Sequence, residues 1–164
     1  MPKRSAPTAP TARETSATPA PLGLVNGFVS FACRSGDNGQ LPTRILIAKW
    51  GENEARTAGV TFKVGDETVK RLAAEQKRRG FDTVTGDYEH QSVKGHPNFK
   101  ADPREHWAMG QVEVVKGKGL YYLPSSYTPS GEANARNYPD VSGLFIVDKA
   151  TNEVVAVHSV ALCQ

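Results

Sequence analysis

Apolar residues begin to recur in an ordered way only from Leu22. From there Leu24-Val25-Asn26-Gly27-Phe28-Val29-Ser30-Phe31-Ala32 reads as a strand, Arg34 to Gln40 as a Gly/Asp/Asn turn, and Thr43 to Trp50, carrying Ile45, Leu46 and Ile47, as the returning strand. One stretch then changes period. Val69, Leu72, Ala73 and Gln76 fall at i, i+3, i+4 and i+7, Asp66 is placed to cap the first turn, Glu75 and Arg79 are four apart, and Gly80 can end the run. The spacing predicts a helix over 66–80. A second, shorter helix is expected after Thr128, with Pro129 at its first position and Ser130 to Asn137 following. The remaining apolar segments read as strands: Asp82 to Gln91, Trp107 to Val115, Gly119 to Tyr127, Val141 to Asp148 and Glu153 to Cys163. Lys149-Ala150-Thr151-Asn152 has hairpin length and composition and joins the last two.

Several strands are apolar on both faces, as Val154-Val155-Ala156-Val157 shows, which suits a closed or doubly covered barrel better than a one-sided sheet. The expected fold is therefore mainly β with flanking helices (α+β), built as a small closed β-barrel. Residues 1–21 are almost wholly Pro, Ala, Thr, Ser and charge, which predicts a disordered tail before a single domain over 22–164.

Composition removes several function classes. Lys and Arg number 20 against 17 Asp and Glu, with both signs scattered, so nothing points to nucleic acid. No window approaches the roughly 18 apolar residues of a membrane span, and Met1 to Ala20 lacks the apolar core of a secretory signal. Cys33 and Cys163 have no CxxC spacing and read as buried free thiols in a reducing compartment.

Three polar residues stand out in apolar rows. Strand parity puts His90 on the face of Val84, Gly86 and Tyr88, with Asp87 and Glu89 on the other. Ser142 shares a face with Leu144 and Ile146, and Gly143 beside it leaves the backbone open to close approach by a substrate chain. His158 lies across the predicted hairpin, in a row with Val154, Ala156, Val160 and Leu162; a one-residue shift would put Ser159 in its place. A serine hydroxyl is a weak nucleophile until an imidazole takes its proton, so the three would suit a serine–histidine site with an orienting third residue. Each would equally suit a structural residue satisfied by a neighbouring hydroxyl or carbonyl. A metal reading on Glu89, His90, His96 and His106 lacks HExxH spacing and any Cys partner, and neither metal nor cofactor is expected.

The order of several motifs carries more than any one of them. Asp-Tyr-Glu-His-Gln at 87–91 is followed by the Trp107 to Val115 strand, Gly119-Leu120-Tyr121 leading to Tyr127-Thr128-Pro129, Tyr138-Pro139-Asp140-Val141-Ser142-Gly143-Leu144-Phe145, and Val157-His158-Ser159-Val160-Ala161-Leu162. From about Gly80 to Cys163 this resembles the protease and scaffold family of Mu-like bacteriophages, related to prohead proteases and more distantly to herpesvirus assemblins.

The resemblance implies an assemblin-like β-barrel wrapped by helices and a serine endopeptidase of capsid maturation, with Ser142 as nucleophile, His90 as general base and His158 as third member. Prohead proteases can use a carboxylate there, for which Asp140, Asp148 and Glu153 are the nearby acids. The implied partners are the phage scaffold, the major capsid protein and the chain itself, inside a prohead assembling in host cytoplasm.

Two departures from the family pattern stand out. Ser142-Gly143 replaces the common Ser-Pro, and the chain stops at Cys163-Gln164 where the family continues into a scaffold region, so a truncation, engineered or autolytic, is expected. The peptide N–H groups around Ser142 and Gly143 would then be the remaining oxyanion donors. The rival expectation is a non-catalytic scaffold or capsid-interaction module of the same fold.

Overall fold

The computed structural model describes residues 22–30, 40–56, 59–80, 82–101 and 105–164. The expected tail, Cys33 and nearly all of the first turn lie outside them. The elements are β1 (Leu22–Ser30), β2 (Ile45–Lys49), β3 (Gly51–Glu54), β4 (Thr61–Val64), α1 (Asp66–Arg79), β5 (Thr83–Tyr88), β6 (His106–Val115), β7 (Gly119–Tyr127), α2 (Pro129–Asn134), β8 (Asp140–Asp148) and β9 (Val154–Cys163).

Seven strands form one sheet in the order β1-β8-β9-β5-β6-β7-β2, and β3 pairs with β4 in a separate ribbon. All neighbours are antiparallel except β5 and β9, which run parallel. The sheet is a curled half-barrel, which corrects the closed barrel expected from the sequence. Among the described residues no ladder joins β1 to β2; a single bridge, Gly27 to Ala55, links β1 to the chain just after β3.

Large rings fill the core. Trp107, Tyr122, Phe62 and Phe145 are all buried in the core. Their polar atoms are satisfied where they have them: Trp107 Nε1–H donates to Val160 O at 3.1 Å, and the Tyr122 hydroxyl to Val84 O at 3.0 Å. Burial, reinforced by the neighbouring Tyr127 and Asp87, pushes the Tyr122 hydroxyl upward from its usual range.

Phe145 explains two glycines. Gly27 and Gly143 sit opposite each other in the β1–β8 ladder, and a Cβ at either would collide with the Phe145 ring. Gly143 is therefore a packing residue: its open side is filled by Phe145 and gives a substrate chain no approach.

α1 starts at Asp66 with Gly65 as N-cap, not Asp66 itself; Thr68 Oγ1 accepts the Gly65 N–H at 3.0 Å. It ends at Gly80, whose left-handed φ of 73° suits glycine. Leu72 carries the packing into the core, and Glu75 holds Arg79 at 2.8 Å one turn on. α2 is capped by Thr128, whose Oγ1 accepts from Gly131 N–H, and stops short of the expected 137.

Candidate active site

The site forms on the sheet face opposite this core. Val141, Phe145 and Val147 of β8 enter the core, so Ser142, at the other parity, points away from it. On β5 the core residues are Val84 and Tyr88, which turns Asp87 to the Ser142 side.

His90 reaches the same side by leaving the strand. β5 ends at Tyr88, and both Glu89 and His90 take left-handed backbone angles, φ 50° and 57°. Strand parity does not extend through them, which overturns the placing of His90 on the Tyr88 face. Side chains other than glycine pay roughly 1 kcal/mol or more for such angles, and the surrounding turn supplies the restraint. Glu89 N–H donates to Leu162 O at 3.0 Å, Gln91 N–H to Tyr88 O at 2.9 Å and Val93 N–H to His90 O at 3.1 Å.

The result is a hydrogen-bonded pair. His90 Nε2 lies 2.8 Å from Ser142 Oγ. Ser142 is 0% and His90 1% exposed. Ser142 Oγ also donates to the carbonyl oxygen of Gly27 in β1 at 3.1 Å. A hydroxyl has one proton, so with that proton on Gly27 O the contact to His90 has Nε2–H as donor. In this arrangement the imidazole holds the proton on the nitrogen facing the serine, and Nδ1 is the bare nitrogen; it has no partner among the described residues.

Burial, helped by the neighbouring His96, Arg56 and His158, pulls the His90 imidazole down to about 4, so it is neutral near pH 7. The His96 ring stands next to it, with centroids 5.3 Å apart. Ser142 and Gly143 pair with β1 on one side and β9 on the other, so their N–H groups lie inside the sheet rather than facing an open oxyanion pocket.

The structure brings together two of the three expected residues. His158 is exposed and makes no hydrogen bond to His90. Bulges in the β8–β9 ladder cause this: Leu144 pairs with Ser159 and Phe145 with Val157, so His158 is skipped and Ser159 becomes the buried polar residue. His158 instead lines an open cleft of about 410 Å³ together with Asp87, Ser92, Glu105, His106 and Ser159.

The three acids named for the third place are otherwise engaged or displaced. Asp148 is bound to Arg71 at 2.6 Å, Glu153 to Lys63 at 3.2 Å, and Asp140 opens β8 opposite Cys163. Among the described residues no three His, Cys, Asp or Glu side chains form a metal-binding group.

A family model described as the N-terminal domain of Mu-like prophage I protein matches residues 45–164, a stretch that contains both His90 and Ser142. The chain belongs to that family. No curated protein and no solved structure matches it. Within this Mu-like prophage I domain, Asp87 is the polar residue that sequence reasoning missed. It is fully buried, its Oδ2 accepts from the Ser92 amide at 3.2 Å and from the Ser92 hydroxyl, and its Oδ1 has no partner among the described residues. Burial raises its carboxyl above the usual range, against the Ser92 hydrogen bonds and the nearby His158 and His96. No helix among the described residues is long and apolar enough to cross a membrane.

Proposed function

We propose that this Mu-like prophage I domain is a serine endopeptidase of capsid maturation. It cuts the phage scaffold, itself and the capsid protein within a prohead assembling in host cytoplasm. The observation that carries the reading is the 2.8 Å contact between His90 Nε2 and Ser142 Oγ on a buried face of the sheet. Family membership supplies the phage setting.

In the proposed reaction Ser142 gives its proton to His90 Nε2 as Oγ forms a bond to the scissile carbonyl carbon. His90 returns that proton to the leaving amine as the C–N bond breaks, and water then repeats the sequence on the acyl-enzyme. Gly27 O stands in the way, since it holds the Ser142 proton and β1 occupies the edge of β8. A substrate strand that takes the place of β1 would release the hydroxyl and expose the row of β8 N–H groups that faces β1, an arrangement suited to holding an extended peptide and an oxyanion.

A second reading draws on the burial of the same pair. As a non-catalytic scaffold or capsid-interaction module, the chain would use His90, Ser142 and Gly27 as a closed structural hydrogen-bond chain. Co-expression with the scaffold separates the two. Cleavage by the wild-type chain that disappears with Ser142→Ala, in a variant that still folds, supports the enzyme; cleavage that persists, or is absent from both, supports the module.

A further inference from the structure

Among the described residues four buried polar atoms lack a partner, Oε2 of Glu153, Oγ of Ser159, Nδ1 of His90 and Oδ1 of Asp87, and the last two belong to the groups around Ser142. Such atoms are rare because an unpaired buried group forfeits its hydration, and an ionised carboxylate forfeits most. The strand register relates them. Asp87 of β5 stands opposite Ala161 of β9, and Ala161 stands opposite Ser142 of β8. All three lie on the face away from the core, in one row across three strands.

At about 4.8 Å per strand, Asp87 and Ser142 are roughly 10 Å apart at Cα, a span that one imidazole can fill. The residue between them is the small Ala161, which leaves room over β9 for the ring that arrives from the β5 end. The other acids are held elsewhere by Arg71 and Lys63 or sit at a strand end.

We infer that Asp87 is the positioning residue of His90, accepting a hydrogen bond from Nδ1–H and so selecting the tautomer whose bare Nε2 can take the proton of Ser142. This rests on reading Ser142 and His90 as nucleophile and base. In the resting arrangement the ring proton is on Nε2 and Ser142 is committed to Gly27 O. When a substrate strand displaces Gly27, the Ser142 hydroxyl turns its proton to Nε2; the ring releases its Nε2 proton to water and takes one from water at Nδ1, and the Nδ1–H donates a hydrogen bond to Oδ1 of the ionised Asp87. During attack the same carboxylate balances the imidazolium. Ser92 holds Oδ2, which leaves Oδ1 as the free acceptor. The charged and titratable groups around this pair are His96, Arg56 and His158.

The test compares Asp87→Asn, Asp87→Glu and His158→Gln with wild type in cleavage of the purified phage scaffold protein, reading kcat, KM, the acid limb of kcat/KM and the melting temperature. Asp87→Asn is expected to lower kcat by about 10²–10⁴ with KM within threefold, because the amide cannot accept the Nδ1 proton in the required tautomer. Its acid limb moves to lower pH as the imidazolium loses its counter-charge, and Asp87→Glu recovers at least tenfold of the loss. None of these shifts is expected from loss of packing alone.

A kcat for Asp87→Asn within threefold of wild type would overturn the inference. So would equal losses in Asp87→Asn and His158→Gln with no further loss in the double variant, since Asp87 would then serve His158. If Asp87→Asn does not fold, ¹⁵N NMR of His90 in the wild-type acyl-serine adduct decides: a protonated, hydrogen-bonded Nδ1 supports the assignment and a bare Nδ1 overturns it. Wild-type protein that neither cleaves nor labels at Ser142 would instead remove the nucleophile-and-base reading, leaving a distinct signature from failure at Asp87 alone.

Discussion

His90 Nε2 and Ser142 Oγ lie 2.8 Å apart although 52 residues separate them in the chain. Their approach depends on a left-handed turn at Glu89 and His90, which lifts the imidazole off its own strand and carries it over β9 to β8. Both partners are buried, so the proposed chemistry at this pair needs an opening, and displacement of β1, whose Gly27 carbonyl accepts from Ser142, would provide it.

Shortening the chain to begin after Ser30 is therefore expected to speed reaction of Ser142 with a small fluorophosphonate by at least about tenfold, the scale of a local opening costing about 1.4 kcal/mol or more. Labelling rates and melting curves measured together check this. A folded truncated chain that labels no faster than the full one would remove β1 from the role.

Stability should depend on pH through His90. Its folded value, about 4, lies below the ordinary 6.5, so the unfolded chain binds the extra proton between these limits. The sign follows: the neutral buried form contributes fully above about 6.5, and stability is lost as pH falls from there towards 4, on the order of 3 kcal/mol in all. Asp87, raised by burial, acts in the opposite direction over its own titration. Urea midpoints at a series of pH values for wild type and His90→Gln isolate the His90 part; the variant should show the flatter profile between pH 6.5 and 4.

Gly143→Ala tests the packing beneath the serine. The added methyl meets the Phe145 ring, and overpacking of this kind costs about 1–3 kcal/mol. Denaturant unfolding should show that loss, with partial recovery in Gly143→Ala combined with Phe145→Leu. Unchanged stability in the single variant would mean that Gly143 faces open space.

His158 and His90 should separate cleanly in kinetics. His158 is exposed in a bulge and unbonded to the pair. Substitution of His158 by Gln is expected to lower kcat by less than tenfold, whereas His90→Gln should lower it by 10³ or more, as expected for loss of the base. Comparable losses at the two positions in scaffold cleavage would return His158 to the site.

Much of this architecture was legible because the signals are local. Seven strands and two helices follow from apolar spacing, Pro129 and Gly80, and all are present, β7 with the expected ends and the others with one or both ends shifted. β3 escaped because Gly51–Glu54 carries no apolar alternation and its polar residues are held by the ribbon with β4; β4 alternates, with Phe62 and Val64 buried, but over only four residues. Closure of the barrel could not be read, since it depends on whether two edge strands meet.

At the site, residue types pointed to Ser142 and His90, but parity misplaced the histidine because nothing in Tyr-Glu-His announces two left-handed residues. Asp87 was missed for the same reason: continuing the strand through residue 90 sends it to the opposite face. The β8–β9 bulges likewise exchanged His158 for Ser159, a slip of one residue that turns a strand over.

The central claim is that Ser142 is a nucleophile driven by His90. It is tested most directly by treating the purified chain with a fluorophosphonate and locating the adduct by peptide mass spectrometry. The account predicts a single time-dependent adduct on Ser142 that is lost in both Ser142→Ala and His90→Gln while the fold is kept. Absence of an adduct on Ser142 in wild type under conditions that open β1, or labelling that is indifferent to His90, would contradict it.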